Sequence, residues 1–121
     1  MFKVYPLPRL RVQIPFERSF SEAEFLRLNG GFVADSMDDR WNILFKNPWL
    51  HFVRSWTGFC IYKVRLVKCK DGCTVAEVWI NRDRRQYRGD DAQQEVQMLS
   101  FLIHQLISGP EPLRSARNPG S

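Results

Sequence analysis

The most concentrated run of chemically capable side chains is Arg54-Ser55-Trp56-Thr57-Gly58, a cation, two hydroxyls and an indole beside a glycine. Backbone N–H groups near Gly58, together with the Ser55 and Thr57 hydroxyls, suit an anion, and Trp56 offers a flat surface on which a planar group can stack. A purely structural reading competes with this: Arg54 lies over Trp41 across a hairpin, and Gly58 closes the turn. A second cluster, Asn81-Arg82-Asp83-Arg84-Arg85-Gln86-Tyr87-Arg88, brings four arginines and a tyrosine together. That composition fits a phosphate-binding loop, and it equally fits a solvated loop in which Asp83 pairs with its neighbouring arginines.

Other chemistries find less to work with. Cys69 and Cys73 have a spacing that zinc can use, but zinc takes four ligands and the chain has no second Cys/His pair. Reduced, metal-free cysteines are the expectation, with Cys69 and Cys73 facing each other across a turn and Cys60 in the core. The two histidines, His51 and His104, sit in different predicted elements and read as packed or surface residues. No G-x-S-x-G, no H-E-x-x-H and no glycine-rich phosphate loop occurs. Among the carboxylates, Glu77 is expected to pair with Arg65, while Asp38-Asp39 and Asp90-Asp91 read as loop and helix cap. No catalytic residue, metal or cofactor is therefore assigned.

The elements that must position these residues follow from hydrophobic spacing. Leu10, Val12, Ile14 and Phe16 alternate with polar residues as a half-buried strand does, and Pro15 places that strand at a sheet edge. Ser21 and Glu24 form a capping box ahead of Phe25, Leu26 and Leu28, and Asn29-Gly30-Gly31 stops the short helix. The acidic segment Asp35 to Asp39 reads as the loop into the sheet. From Arg40 to Asn81 the chain is rich in Trp, Phe, Ile and Val, with turn signals at Asn47-Pro48, Ser55 to Gly58 and Lys70-Asp71-Gly72. Four strands joined by tight turns are expected. At the last turn, a three-residue loop with a left-handed Gly72 pairs Val64 with Val78 and Arg65 with Glu77. Residues Asp90 to Ser108 place Val96, Leu99, Leu102, Ile103 and Leu106 on one stripe of a long helix that ends before Gly109-Pro110.

Extending this pairing through all the turns sorts the strands onto two faces. One collects Trp49, His51, Val53, Cys60, Tyr62, Val64, Leu66, Val78 and Ile80. The other collects Trp41, Ile43, Phe45, Leu50, Phe52, Ile61 and Trp79 beside Lys63, Arg65 and Glu77. Both are substantially apolar, and one long helix covers only one of them. The second is expected to meet the short helix, the N-terminal strand, a ligand or a second copy of the chain in a two-fold homodimer.

A chain of 121 residues, 44% hydrophobic, is expected to form a single α+β domain over residues 1–109, with a disordered tail over 110–121. The longest uncharged stretch, Val96 to Pro110, is too short and too polar to span a membrane. Met1 to Pro15 lacks the apolar run of a signal peptide, and three cysteines are an odd count, so a cytoplasmic location is expected. Net charge is +5, but residues 41–89 hold ten basic against three acidic residues. That middle suits a nucleic acid, a nucleotide or an acidic partner, although the signature of an RNA-recognition sheet is absent.

The segments Arg40-Trp41, Trp49-Leu50-His51-Phe52, Arg54 to Gly58, Cys60-Ile61-Tyr62 and Asn81-Arg82-Asp83 with Tyr87 resemble small uncharacterised bacterial domains sometimes seen with ADP-ribosylglycohydrolases. The resemblance covers roughly residues 38–107. It implies a bacterial cytosolic accessory domain linked to ADP-ribose or NAD chemistry, and it brings no catalytic residues with it. The expected function is a non-catalytic binding or accessory module for an anionic nucleotide-like ligand or a protein partner. The alternatives are a nucleic-acid binder using the basic, aromatic sheet region and, third, a small enzyme of unknown reaction. The ligand site is expected where the Arg54 to Gly58 turn meets the Asn81 to Arg85 loop. Arg54 and Arg82 supply charge there, Trp56 a stacking surface, Ser55 and Thr57 hydroxyls, and Asp83 orients an arginine or accepts from a ribose hydroxyl.

Overall fold

The capping box at Ser21 and Glu24 forms as the sequence implies. The Ser21 amide donates to Glu24 Oε1 at 2.9 Å and the Glu24 amide donates to Ser21 Oγ at 3.1 Å. In the computed structural model, which describes residues 3–108, this box opens the short helix α1, Glu22–Gly30. Two short strands precede it, β1 (Arg11–Ile14) and β2 (Ser19–Ser21). The meander follows as β3 (Trp41–Lys46), β4 (Trp49–Arg54), β5 (Cys60–Cys69) and β6 (Gly72–Asn81), and the chain then enters the long helix α2, Ala92–Ser108. All strand pairs are antiparallel, in the order β1-β6-β5-β4-β3, with β2 also pairing β6 beyond β1. The fold is α+β. The expected tail, 110–121, lies outside the described residues.

Register decides which face is core, and here the structure corrects the sequence reading. Val53 pairs Cys60 as a regular turn demands, but a bulge then leaves Ile61 unpaired and sets Phe52 opposite Tyr62 and Leu50 opposite Val64. One extra residue moves a strand's side chains to the opposite face. Trp41, Ile43, Phe45, Leu50 and Phe52 therefore join Tyr62, Val64, Val78 and Ile80 on one face, packed against Leu99, Leu102, Ile103 and Ile107 of α2. The opposite face carries Trp49, His51, Lys63, Arg65, Glu77 and Trp79. It is mixed: the same register adds Leu44, Val53 and Cys60 to the charged residues, and Val53 and Cys60 are buried.

The β5-β6 hairpin keeps Val64 opposite Val78 and Arg65 opposite Glu77, yet its loop has two residues, since Cys69 pairs Gly72. A bulge at Ala76 absorbs the extra residue, so Leu66 pairs Val75. Cys73 consequently pairs Lys68 and does not face Cys69. This arrangement brings Gly72 to Thr74 alongside β2, whose backbone at Phe20 and Ser21 passes so close that a Cβ at Gly72 would collide with it. The sequence reading did not include β2. No helix among the described residues is long and apolar enough to cross a membrane.

Candidate functional site

The pairs Trp41–Arg54, Val53–Cys60 and Tyr62–Ile80 align one end of every meander strand. The Arg54 to Gly58 turn and the loop leaving β6 at Asn81 therefore share one end of the sheet. Asn81 joins them to the strand between: its Nδ2 donates to the Cys60 carbonyl at 2.9 Å.

The turn is braced on two sides. The Ser55 amide donates to the Arg40 carbonyl at 2.9 Å, and Ser55 Oγ donates to the Asp39 carbonyl at 2.6 Å. Trp56 Nε1 donates to the Met37 carbonyl at 3.2 Å, while the indole remains 70% exposed. Thr57 Oγ1 accepts from the Phe59 amide at 3.2 Å, which leaves its own hydroxyl hydrogen available to donate. Gly58 sits at φ +82°, where a side chain is strained, and a Cβ there would lie 2.6 Å from the Lys3 carbonyl oxygen. Its own carbonyl accepts from the Tyr5 amide at 2.8 Å.

Arg54 packs as the structural reading of the sequence expects, with its guanidinium carbon 5.1 Å from the Trp41 ring centre. Trp41 in turn stacks on Tyr62, with centroids 5.6 Å apart and planes 18° apart. Arg40, Arg54, Trp56 and Thr57 line a cavity of about 210 Å³. Among the described residues, neither Arg40 nor Arg54 has a carboxylate partner, and no group accepts from the Trp56 or Thr57 amide. The nearby Asp39 carboxylate accepts from the Asp35 amide at 3.1 Å. The cavity is thus bordered by two arginines, an exposed indole and a threonine, and its wall is largely the apolar surface of these side chains.

The second loop is built differently. Arg82 donates to both carboxylate oxygens of Glu95 on α2, at 2.8 and 2.6 Å, and also reaches the carbonyls of Asn81 and Gly89. Asp83, only 4% exposed, accepts from the Arg85 amide and from both Nε and an Nη of its guanidinium at about 3 Å. Those bonds hold the Asp83 carboxyl below the usual carboxylate range. The Asp83 carbonyl accepts from the Gln86 and Tyr87 amides, which folds Tyr87 back against Tyr62 at 6.4 Å between rings. Burial raises the Tyr87 hydroxyl's pKa, with further upward pushes from its hydrogen bonds to Tyr62 and Glu95. Tyr62 is raised too, mainly by burial, and it feels the charges of both Arg54 and Arg82.

Of the expected site residues, Arg54, Trp56 and Thr57 line the cavity, Ser55 and Gly58 build its turn, and Arg82 and Asp83 are engaged in internal pairs at the same end of the sheet. Arg40 was missed; its only sequence signal is its place one residue before Trp41, which pairs with Arg54. Glu95 was also missed, although a carboxylate four residues before Leu99 lies on the apolar stripe of α2 and so needs a buried cation. His51 lies on the sheet face away from the helices and His104 is exposed on α2, its ring 3.4 Å from Ser108 Oγ. Among the described residues, no group of three or more His, Cys, Asp or Glu side chains is placed to hold a metal ion. Compared with family models, curated proteins and solved structures, the chain matches none.

Proposed function

We propose that the protein is a non-catalytic binding or accessory module for an anionic, nucleotide-like ligand of the ADP-ribose or NAD type. The observation that carries this reading is the convergence of Arg40, Arg54 and Trp56 on one cavity, with both guanidinium groups lacking a carboxylate partner among the described residues. A diphosphate satisfies two such cations with charge-assisted hydrogen bonds, and the exposed indole takes a planar base by stacking. The Thr57 hydroxyl and the Trp56 and Thr57 amides supply donors for the remaining phosphate oxygens. A cavity of about 210 Å³ is small, so it accommodates the diphosphate and one ring edge while the rest of the ligand stays open to solvent. The resemblance to domains seen with ADP-ribosylglycohydrolases points to the same ligand class.

The non-catalytic part of the reading rests on the site's chemistry. At this end of the sheet Asp83 and Glu95 are each tied to an arginine, Asp39 accepts from the Asp35 amide, and neither histidine lines the cavity. Calorimetric titration with ADP-ribose, NAD and pyrophosphate tests the proposal. Binding of ADP-ribose that weakens in Arg40→Ala supports it, and absence of heat with all three ligands removes it.

A further inference from the structure

The sheet face turned away from the helices is a second surface with its own chemistry. Trp49 on β4 and Trp79 on β6 flank the central strand β5, with Trp49 opposite Arg65 and Trp79 opposite Lys63. Two strand spacings and a two-residue offset separate their backbone positions by about 12 Å along a diagonal. Lys63 Nζ stands 4.5 Å from the Trp49 ring centre, and the Arg11 guanidinium carbon stands 5.5 Å from that of Trp79. Each half-buried ring therefore has a cation over one of its faces. Glu77 fixes the geometry: one oxygen accepts from Arg65 Nε at 2.6 Å and the other from Trp79 Nε1 at 2.8 Å. The Trp79 N–H is thereby satisfied within the protein, and the ring is held in place.

The charge on this face is one-sided. Arg11, Lys46, Lys63 and Arg65 are cationic and Glu77 is the opposing acid. His51, between Trp49 and Val53 on β4, stays neutral above about pH 4, because burial and the adjacent Lys63 and Lys46 lower its pKa. The helices α1 and α2 pack on the other side, so neither covers this one. A cationic sheet with fixed aromatic rings on alternate strands matches a flexible polyanion whose flat groups are free to stack.

We infer that this face binds single-stranded nucleic acid without sequence preference, with bases stacking at Trp49 and Trp79 and phosphates lying along Lys63, Arg65, Arg11 and Lys46. Charge complementarity selects a polyanion, and the two indoles select single strands over a duplex, whose bases are already stacked inside the helix. An acidic peptide satisfies the charges but leaves the rings without a stacking partner. This surface is separate from the Arg40–Arg54 cavity, and it stands or falls independently of the ligand proposed there.

Fluorescence anisotropy of a short labelled oligothymidylate, titrated with the full chain at low and moderate salt, tests the inference. Binding is expected to weaken about fivefold or more in Trp49→Ala and in Trp79→Ala, the low end of what stacking one base contributes. Lys63→Glu, which removes the cation over Trp49 and reverses a charge on this face, is expected to weaken binding and to reduce the salt slope by about 0.7 or more. The inference is overturned if the oligonucleotide does not bind at low salt, if a duplex of the same sequence binds equally well, if polyglutamate competes as effectively as unlabelled oligonucleotide, or if Lys63→Glu binds like the parent protein.

Discussion

Arg82 and Glu95 make a two-point ion pair across the junction between the end of β6 and the first turns of α2, and Glu95 is only 3% exposed. The pair holds the long helix over the sheet end where the candidate cavity opens. Removing one partner of a buried pair leaves an uncompensated charge, which costs more than the pair itself contributes. Because the Arg82 side chain retains 23% exposure, Glu95→Gln is expected to destabilise the fold by about 2 to 3 kcal/mol rather than the larger figure for a fully buried pair. Urea denaturation measures this. The double replacement Arg82→Met with Glu95→Met is expected to recover most of the loss, and a double variant no more stable than Glu95→Gln alone would show that the pair is not the source.

His51 gives the sheet a pH dependence of definite sign. Its pKa falls from 6.5 to about 4, first because of burial and then because of Lys63 and Lys46. The unfolded chain thus binds a proton that the native state refuses. Stability from this residue is fully present above the unfolded value of 6.5 and is lost as pH falls towards the folded value of about 4. Over pH 7 to about 5 the loss from this residue is expected to reach about 1 to 2 kcal/mol once solvent screening of the half-exposed ring is allowed for. His51→Gln should flatten the stability curve across this window. Parallel curves for variant and parent would refute the assignment.

Much of the architecture is legible in the sequence, because local rules and global packing agree there. The Ser21–Glu24 box, the stripe of α2 and the Arg65–Glu77 pairing each follow from spacing alone. The errors cluster at bulges. Ile61 and Ala76 are ordinary apolar residues inside apolar strands, and no local signal marks either as the unpaired one. The first exchanged the faces of β4, and the second shortened the last hairpin loop. At the site, the Arg54–Trp41 contact was readable from cross-strand pairing, whereas the partner of Arg82 was not. Glu95 lies thirteen residues further on, and its importance becomes plain only once helix α2 is docked on the sheet.

The three cysteines are expected to separate by reactivity. Burial pushes the Cys60 thiol up to about 12, and its Sγ is 3.4 Å from the Tyr62 carbonyl, so at mild alkaline pH it remains a protonated thiol in the core. Cys73 is also buried, with its pKa raised by the same cause, while Cys69 is exposed beside the hairpin loop. Iodoacetamide under native conditions should label Cys69 first, and Cys60 should react only after unfolding. Mass spectrometry of digested protein reads the order, and early labelling of Cys60 would contradict its burial.

The cavity residues are expected to separate binding from stability in a graded way. Arg40 is exposed and its side chain has no carboxylate partner among the described residues, so Arg40→Ala should leave the melting temperature nearly unchanged. Losing its hydrogen bonds to a charged ligand should nevertheless weaken ADP-ribose binding by about 1.5 to 3 kcal/mol. Trp56 is also largely exposed and gives up one hydrogen bond, to Met37 at 3.2 Å, so Trp56→Ala should lower stability by less than about 1 kcal/mol. Arg54 has two roles. It stands over Trp41, which stacks on the buried Tyr62, so Arg54→Ala should cost about 1 kcal/mol of stability as well as ligand affinity. Gly58→Ala supplies the contrast, because its φ of +82° and the Lys3 carbonyl 2.6 Å from the added Cβ make it a substitution against the fold alone. Thermal melts paired with calorimetry then separate the two readings of the turn. If Arg40→Ala and Trp56→Ala melt like the parent and bind ADP-ribose more weakly, the turn is a ligand site. If both melt far lower while the protein that stays folded binds as before, the Arg54 to Gly58 segment is hairpin structure and the ligand binds elsewhere.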